Sequence, residues 1–212
     1  MKLCIAIPCY EHISRNTAVS LGNLMFELGA NPPPDFEGVG LKWTSSSNLP
    51  ESRHRLVVVA LDAGVSHILW VDSDMEFPKD GLARLAVHDL DIVGCNYPRR
   101  NAPHYSSASD PDYKAFDPGL TGLSKAGIIG FGFLLTKIGV FQRQDYPMPL
   151  FAHHDERGYV TEDVPFARKV IAAGYDLWVD HDLSREVRHV GVRSYGADDI
   201  EKMPAERIPT RR

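Results

Sequence analysis

Two aspartates separated by one residue follow a strongly apolar stretch of the sequence. Residues 68–71 are rich in β-formers and short enough to be a buried strand, and Asp72 and Asp74 come directly after them. Ligands of open α/β sheets bind at the carboxyl ends of strands. If the extended geometry continues, both carboxylates lie on one side and can bind one divalent cation together with phosphates. A loop acid followed by a helix N-cap is the alternative interpretation.

The second half of the sequence contains another acid pair and a histidine that could do chemistry. Glu162 and Asp163 follow Thr161, where a helix is predicted to begin. A carboxylate there could act as a general base for a hydroxyl, although acids in a first helical turn are also ordinary capping residues. His189 lies in the last predicted strand, before Gly191, and is either a metal ligand or a structural residue.

The rest of the sequence predicts the elements that position these residues. Strand and helix patterns alternate, which is typical of a single α/β domain whose mostly parallel sheet has helices on both faces. Residues 101–121 have no periodicity and are predicted to form a long loop that acts as a lid or binding loop. We predict strands at residues 3–8, 39–44, 68–71, 92–97, 126–136, 177–179 and 187–190, and helices at residues 13–28, 51–63, 78–88 and 164–173.

The composition limits the class of protein. The 212 residues suit one domain with a sizeable core, and 43% hydrophobic with 24% charged residues is typical of globular proteins. We predict no membrane span, because no apolar stretch approaches ~20 residues. The formal net charge of −5 gives no general affinity for nucleic acids or anionic lipids. Cys4 and Cys95 lie in predicted strands, so reduced buried thiols and a cytoplasmic location are expected.

Taken with the residues that close the first strand, these groups resemble the GT-A glycosyltransferases, most closely the family-2-like enzymes. The resemblance covers about residues 1–191, which it implies to be a Rossmann-like GT-A domain, and leaves residues 192–212 as a C-terminal tail. It implies a general base at Asp163, donor contacts at Pro8, Tyr10, Glu11, Arg53, Asp72 and Ser73, and metal ligands at Asp72, Asp74 and His189.

The acceptor is expected on the other side of the donor. We expect contacts to it at Glu162 and at Gly130 and Gly132, two glycines in an apolar stretch. Glycines allow a sugar to approach the backbone closely, and they equally allow a tight crossing of strands.

The resemblance implies transfer of a sugar from a nucleotide-sugar donor to a hydroxyl acceptor, with inversion, in the presence of Mn²⁺ or Mg²⁺. A bound cation neutralises the leaving diphosphate, and an imidazole ligand favours Mn²⁺. Residues 44–48 read Thr-Ser-Ser-Ser-Asn, where many family-2 enzymes have an acidic turn that helps to hold the base. Hydroxyl and amide groups can still hydrogen-bond a base, and UDP is expected as the donor nucleotide in preference to GDP. A nucleotidyltransferase and a catalytically silent sugar-nucleotide or carbohydrate-binding module are the alternatives.

Overall fold

The fold is described by a computed structural model that covers residues 1–100, 104–142, 153–155, 158–191 and 194–200. The strands in this part of the chain are β1 (Lys2–Cys9), β2 (Gly38–Ser45), β3 (His67–Val71), β4 (Met75–Glu76), β5 (Ile92–Gly94), β6 (Leu123–Ala126), β7 (Phe133–Lys137), β8 (His153–Asp155), β9 (Gly158–Val160), β10 (Leu177–Asp180), β11 (Arg188–Val190) and β12 (Ser194–Tyr195). The α-helices are α1 (Arg15–Ala30), α2 (Leu49–Asp62), α3 (Gly81–Ala86), α4 (Asp163–Ala172) and α5 (His181–Ser184).

The central sheet is mostly parallel, as predicted. Its seven strands in the described residues lie in the order β2-β1-β3-β7-β5-β10-β6. Strand β7 runs antiparallel to both of its neighbours, and β6 runs antiparallel to β10, whereas the other five strands share one direction. The carboxyl ends of β1, β3, β5 and β10 therefore meet at one edge, where a ligand site is expected.

Helices cover both faces of this sheet. One hydrophobic cluster joins Leu3, Ile5 and Ile7 of β1 to helices α1 and α3, and a second joins Cys4 and Ala6 to helices α2 and α4. Because side chains alternate along a strand, each buried strand supplies residues to both clusters. The predicted α/β arrangement with flanking helices is confirmed.

Local signals account for the helix ends. Ser14 accepts a hydrogen bond from Thr17 N at the start of α1, and Asn48 accepts one from Glu51 N at the start of α2. Gly64, just after α2, has φ +59°, a conformation that glycine adopts without strain. Helix α1 continues past Gly29, where we predicted its end. No helix in the described part of the chain is long and apolar enough to cross a membrane.

The prediction of one strand over residues 126–136 was wrong. The structure has β6 at the sheet edge and β7 in the middle of the sheet, and the glycine-rich segment 127–132 crosses between them. Gly130 and Gly132 are both buried against Tyr97, and a Cβ atom at Gly132 would overlap the Tyr97 hydroxyl oxygen. The hydroxyl accepts a hydrogen bond from Gly132 N at 2.7 Å. Close approach of Tyr97 thus explains both glycines.

The long predicted loop is anchored to the sheet in its described part. Isolated bridges join Pro98 to Ser106 and Ser109 to Ile128. The buried amide oxygen of Asn96 accepts a hydrogen bond from Ala108 N at 3.1 Å. Residues 104–121 therefore form part of the wall of the domain, and their predicted role as a lid is not supported by these contacts.

A small second sheet extends the fold beyond the predicted domain boundary at residue 191. Its strands lie in the order β12-β11-β4, and all three are antiparallel to their neighbours. The side chain of Ser194 donates a hydrogen bond to Glu76 at 2.7 Å. The fold thus continues to residue 200, and residues 201–212 of the predicted tail lie outside the described residues.

The contact between Tyr97 and Gly132 predicts a steric effect on stability. Gly132→Ala should lower the free energy of unfolding by about 1–3 kcal/mol, because buried Tyr97 must move to admit the methyl group. Gly139→Ala is the matched control, since a methyl group at that position would meet no atom within 4 Å and should change stability by less than about 0.5 kcal/mol. Urea denaturation of both variants measures the difference, and equal stabilities would contradict this packing.

Candidate functional site

The turn that carries Asp72, Ser73 and Asp74 is held in place by its backbone. The strand geometry ends at Val71, so the chain turns instead of continuing as an extended strand. Each residue of the turn is tied to a different element by one backbone hydrogen bond: Asp72 N to Gly132 O (3.1 Å), Ser14 N to Ser73 O (2.7 Å) and Val190 N to Asp74 O (2.7 Å).

Asp74 and His189 are brought together by the small sheet. The register of β4 against β11 pairs Met75 with His189, which places His189 Nε2 3.3 Å from Asp74 Oδ1. The other ring nitrogen, Nδ1, lies 3.1 Å from the carbonyl oxygen of Pro98. A carbonyl oxygen only accepts, so Nδ1 donates a hydrogen bond to Pro98. Nε2 is left facing the carboxylate of Asp74, where a proton on the ring or a bound cation can join the two groups.

Arg100 contacts the second oxygen of the same carboxylate. Its Nη1 lies 3.0 Å from Asp74 Oδ2, and the Arg100 side chain is 52% exposed. Burial raises the pKa of Asp74, but the hydrogen bond and charge of His189 and the charge of Arg100 outweigh it, so the pKa lies below its ordinary value. Asp74 is therefore held as a carboxylate at neutral pH.

Asp72 has a different partner. Its Oδ1 accepts a hydrogen bond from Arg53 Nη2 at 2.8 Å, and Arg53 Nη1 lies 2.6 Å from Glu162 Oε1. Arg53 is only 3% exposed, and its guanidinium lies over the ring of Phe131 at 4.4 Å. Burial alone would lower the pKa of Arg53, but the charges of Asp72 and Glu162 raise it above its ordinary value.

The two acids at the start of α4 make different contacts. Glu162 is the N-cap residue, but its side chain makes no capping hydrogen bond. Its carboxylate is buried against Arg53, and burial raises the pKa of Glu162 more than Arg53 lowers it. Asp163 is only partly buried, and its Oδ1 accepts hydrogen bonds from Thr161 Oγ1 and Val164 N. Of the two acids, Asp163 is the one that solvent reaches more easily.

The other residues predicted to bind the donor lie near the carboxyl end of β1 or in the turn. Pro8 is buried, Tyr10 and Glu11 are exposed, and Ser73 is partly buried. Their contacts with a donor stay predictions, as do acceptor contacts at the buried Glu162, Gly130 and Gly132. Arg100 was missed, although its place just after the predicted strand 92–97 was a usable signal because strand carboxyl ends meet at the site.

The charges of the site fit a divalent cation. Four carboxylates (Asp72, Asp74, Glu162 and Asp163) lie near two guanidinium groups, which leaves an excess of negative charge. The 3.3 Å between Asp74 Oδ1 and His189 Nε2 is close to the ~3 Å that separates neighbouring ligands of an octahedral ion. Within the described ranges, no group of three His, Cys, Asp or Glu residues could hold a metal ion. Mg²⁺ commonly has one or two protein ligands and takes the rest from substrate phosphates.

Comparisons with known proteins address the fold. The chain matches the crystal structure of A197 from STIV with a TM-score of 0.63 and 16% identity, over 96% of this chain and 95% of that one. It also matches the crystal structure of GalNAc-T7 with UDP, GalNAc and Mn²⁺, with a TM-score of 0.51 and 10% identity, over 90% of this chain and 44% of that one. GalNAc-T7 is a GT-A glycosyltransferase.

These similarities support a GT-A-like fold. No family model matches the chain, and no curated protein matches it at a significant level. The narrower resemblance to family-2 enzymes therefore stays a prediction. At 16% and 10% identity, the two structures show only that the helices and strands are arranged alike. The chemistry of the site in this chain depends on its own side chains.

The buried guanidinium predicts a large and pH-dependent loss of stability. Arg53→Met should cost about 3–5 kcal/mol at pH 7, because it leaves two carboxylates without their cation. The pKa of Glu162 is already raised in the fold, so this residue binds more protons folded than unfolded and stability falls as pH rises above the unfolded value of ~4.3. Loss of Arg53 raises that pKa further.

The cost of Arg53→Met should therefore be smaller at pH 5 than at pH 7. Arg55→Met is the matched control on the same helix, because Arg55 is 62% exposed and its salt bridge in the described part of the chain is to Glu51, which is 41% exposed. Denaturant titrations at both pH values measure the difference between the variants. A cost that does not change with pH would contradict the role of Glu162.

Proposed function

We propose that this chain is a metal-dependent glycosyltransferase that moves a sugar from a nucleotide-sugar donor, with UDP favoured over GDP, to a hydroxyl acceptor with inversion. The observation that carries the proposal is the pair formed by Asp74 Oδ1 and His189 Nε2, 3.3 Å apart at the sheet edge. Its geometry suits a divalent cation, with Nδ1 of the histidine held by a backbone carbonyl as in many metal sites.

In this proposal, Asp74 and His189 bind the metal on the donor side. When bound there, Mn²⁺ or Mg²⁺ supplies the positive charge that makes a nucleoside diphosphate an adequate leaving group. Asp72 keeps its salt bridge to Arg53 and accepts hydrogen bonds from the donor or from ordered water. This differs from the expectation that Asp72 is itself a metal ligand, because its Oδ1 is already engaged by a guanidinium.

Asp163 is the proposed general base. The attacking hydroxyl must lose a proton as the new bond forms, and a carboxylate beside the acceptor can take it. Glu162 is less suited to this role, because it is buried and its carboxylate is paired with Arg53. We assign Glu162 to positioning: through Arg53 it ties the first turn of α4, and with it Asp163, to Asp72.

The proposal includes partners and a location. The donor is a nucleotide sugar and the acceptor carries a free hydroxyl, while stable binding of nucleic acid is not expected from the net charge of −5. Cys4 is buried and not in a disulfide, and burial raises the pKa of its thiol to about 11, although Lys42 lowers it slightly. An inert reduced thiol supports a cytoplasmic location.

One observation favours a catalytically silent sugar-nucleotide-binding module instead. In the described part of the chain, Asp74 and His189 have no third His, Cys, Asp or Glu beside them to complete a metal site. If the donor phosphates do not supply the missing ligands, the chain binds nucleotide sugar without cleaving it. Hydrolysis of the donor in the absence of an acceptor separates the two functions, because only an enzyme releases the sugar.

The metal assignment is tested by substitution of Asp74. Asp74→Asn should abolish the Mn²⁺-dependent part of UDP-sugar binding and hydrolysis, because an amide is a far weaker ligand for a hard cation. Asp62→Asn, which changes an exposed aspartate at the end of α2, is the control and should leave both unchanged. Calorimetry with and without Mn²⁺ measures the binding. Unchanged Mn²⁺ dependence in Asp74→Asn would remove Asp74 from the metal site.

The base assignment is tested by substitution of Asp163. Asp163→Asn keeps the shape of the side chain and removes its basicity, so kcat should fall by about 10²-fold or more with donor affinity nearly unchanged. The same assay should record the anomeric configuration of the product. Near-normal turnover would refute the catalytic role of Asp163, and a product of retained configuration would refute inversion.

A further inference from the structure

Arg100 is the exposed cation that contacts the proposed metal ligand Asp74. The two residues meet at 3.0 Å, and the Arg100 side chain is 52% exposed, whereas Arg53 is 3% exposed and paired with two carboxylates. If Arg53 moved to contact a bound ligand, two carboxylates would lose the cation that neutralises them. If Arg100 moved, only Asp74 would lose its cation, and a bound divalent cation would then neutralise Asp74.

The backbone before Arg100 is fixed, so its side chain starts from a defined place. Arg99 N donates a hydrogen bond to Tyr105 O at 2.8 Å, and Pro98 forms a bridge with Ser106. The carbonyl of Pro98 also accepts the hydrogen bond from His189 Nδ1. The segment that carries Arg100 is therefore attached to the histidine of the metal site, and only the long side chain has to move.

We propose that Arg100 is an exchangeable cation of this site, which neutralises Asp74 in the nucleotide-free protein and moves onto the donor's diphosphate when a divalent cation occupies Asp74. The inference rests on the proposed function and deepens it by naming the residue that recognises the diphosphate. It also transfers to Arg100 the donor contact that the resemblance assigned to Arg53.

Charge explains why the exchange follows metal binding. A divalent cation on Asp74 repels the neighbouring guanidinium and attracts the diphosphate to the same place. The guanidinium then finds phosphate oxygens within reach, and its planar fork binds them with two parallel hydrogen bonds. Metal and nucleotide therefore assist each other: without the nucleotide, Arg100 competes with the metal for Asp74.

The test is a pair of titrations that does not depend on turnover. Arg100→Gln should bind Mn²⁺ alone roughly threefold more tightly than the unmodified chain, because the competing exposed ion pair is gone. With Mn²⁺ saturating, the same variant should bind UDP about 10-fold more weakly, because a charge-assisted contact to the diphosphate is lost. Manganese electron paramagnetic resonance and calorimetry with UDP provide the two affinities.

Two further variants separate exchange from a general effect of charge. Arg100→Lys keeps the charge without the fork, so its Mn²⁺ affinity should match the unmodified chain and its UDP affinity should lie between the other two. Arg99→Gln removes the neighbouring exposed arginine and should change neither affinity. If Arg100→Gln weakens Mn²⁺ binding or leaves it unchanged, Arg100 is a fixed support of Asp74 or a bystander, and the exchange is refuted.

The outcome for Arg100 is distinguishable from the outcome for the proposed function. If the unmodified chain transfers sugar while Arg100→Gln has normal Mn²⁺ and UDP affinities, the exchange is refuted and the glycosyltransferase stands. If the chain cleaves no nucleotide sugar but its affinities shift with Arg100 as expected, the exchange stands and the catalytic function is refuted.

Discussion

A guanidinium buried in the core holds two acidic side chains of the candidate site, Asp72 and Glu162, in their places. Removing a charged group from water costs several kcal/mol, so Arg53 is stable in the core only with two carboxylates and an aromatic face around it. The carboxylates belong to the turn after β3 and to the residue before α4, while Arg53 itself lies on α2. Three elements far apart in sequence are thus fixed to one another by a single charge.

The fold was largely predictable because its signals are local. Buried strands are marked by short apolar runs, and Asn48 marks a helix start by accepting a hydrogen bond from the backbone three residues ahead. Ser14 caps α1 in the same way, but the helix was predicted to begin one residue before it, at residue 13. The prediction of one strand over residues 126–136 was wrong for a reason that no local sequence pattern reveals. The glycines of that segment are required by the close approach of Tyr97, a residue about thirty positions away. Without this contact in view, the sequence pattern of an apolar run broken by glycines is that of one bulged strand.

The candidate site was predictable in its residue types and less so in its pairings. The distance between Asp74 and His189 depends on the register of two very short strands, for which the sequence offers little periodicity. The burial of Arg53 likewise depends on Glu162, more than a hundred residues later in the chain. The sequence predicted that both Glu162 and Asp163 belong to the site. Only the ion pair with Arg53 shows that Glu162 is the buried, paired acid and that Asp163 is the more accessible one.

The path of the turn at residues 72–74 is fixed by hydrogen bonds of its backbone, which do not use its side chains. The atoms that anchor it to the glycine-rich crossing, to α1 and to β11 are amide nitrogens and carbonyl oxygens, which every residue other than proline offers. The side chains of Ser73 and Asp74 can thus change without rebuilding the turn, whereas Asp72 is also bound through its side chain to the buried Arg53. A single substitution at residue 74 can therefore change the charge at this edge of the sheet on a scaffold that stays the same.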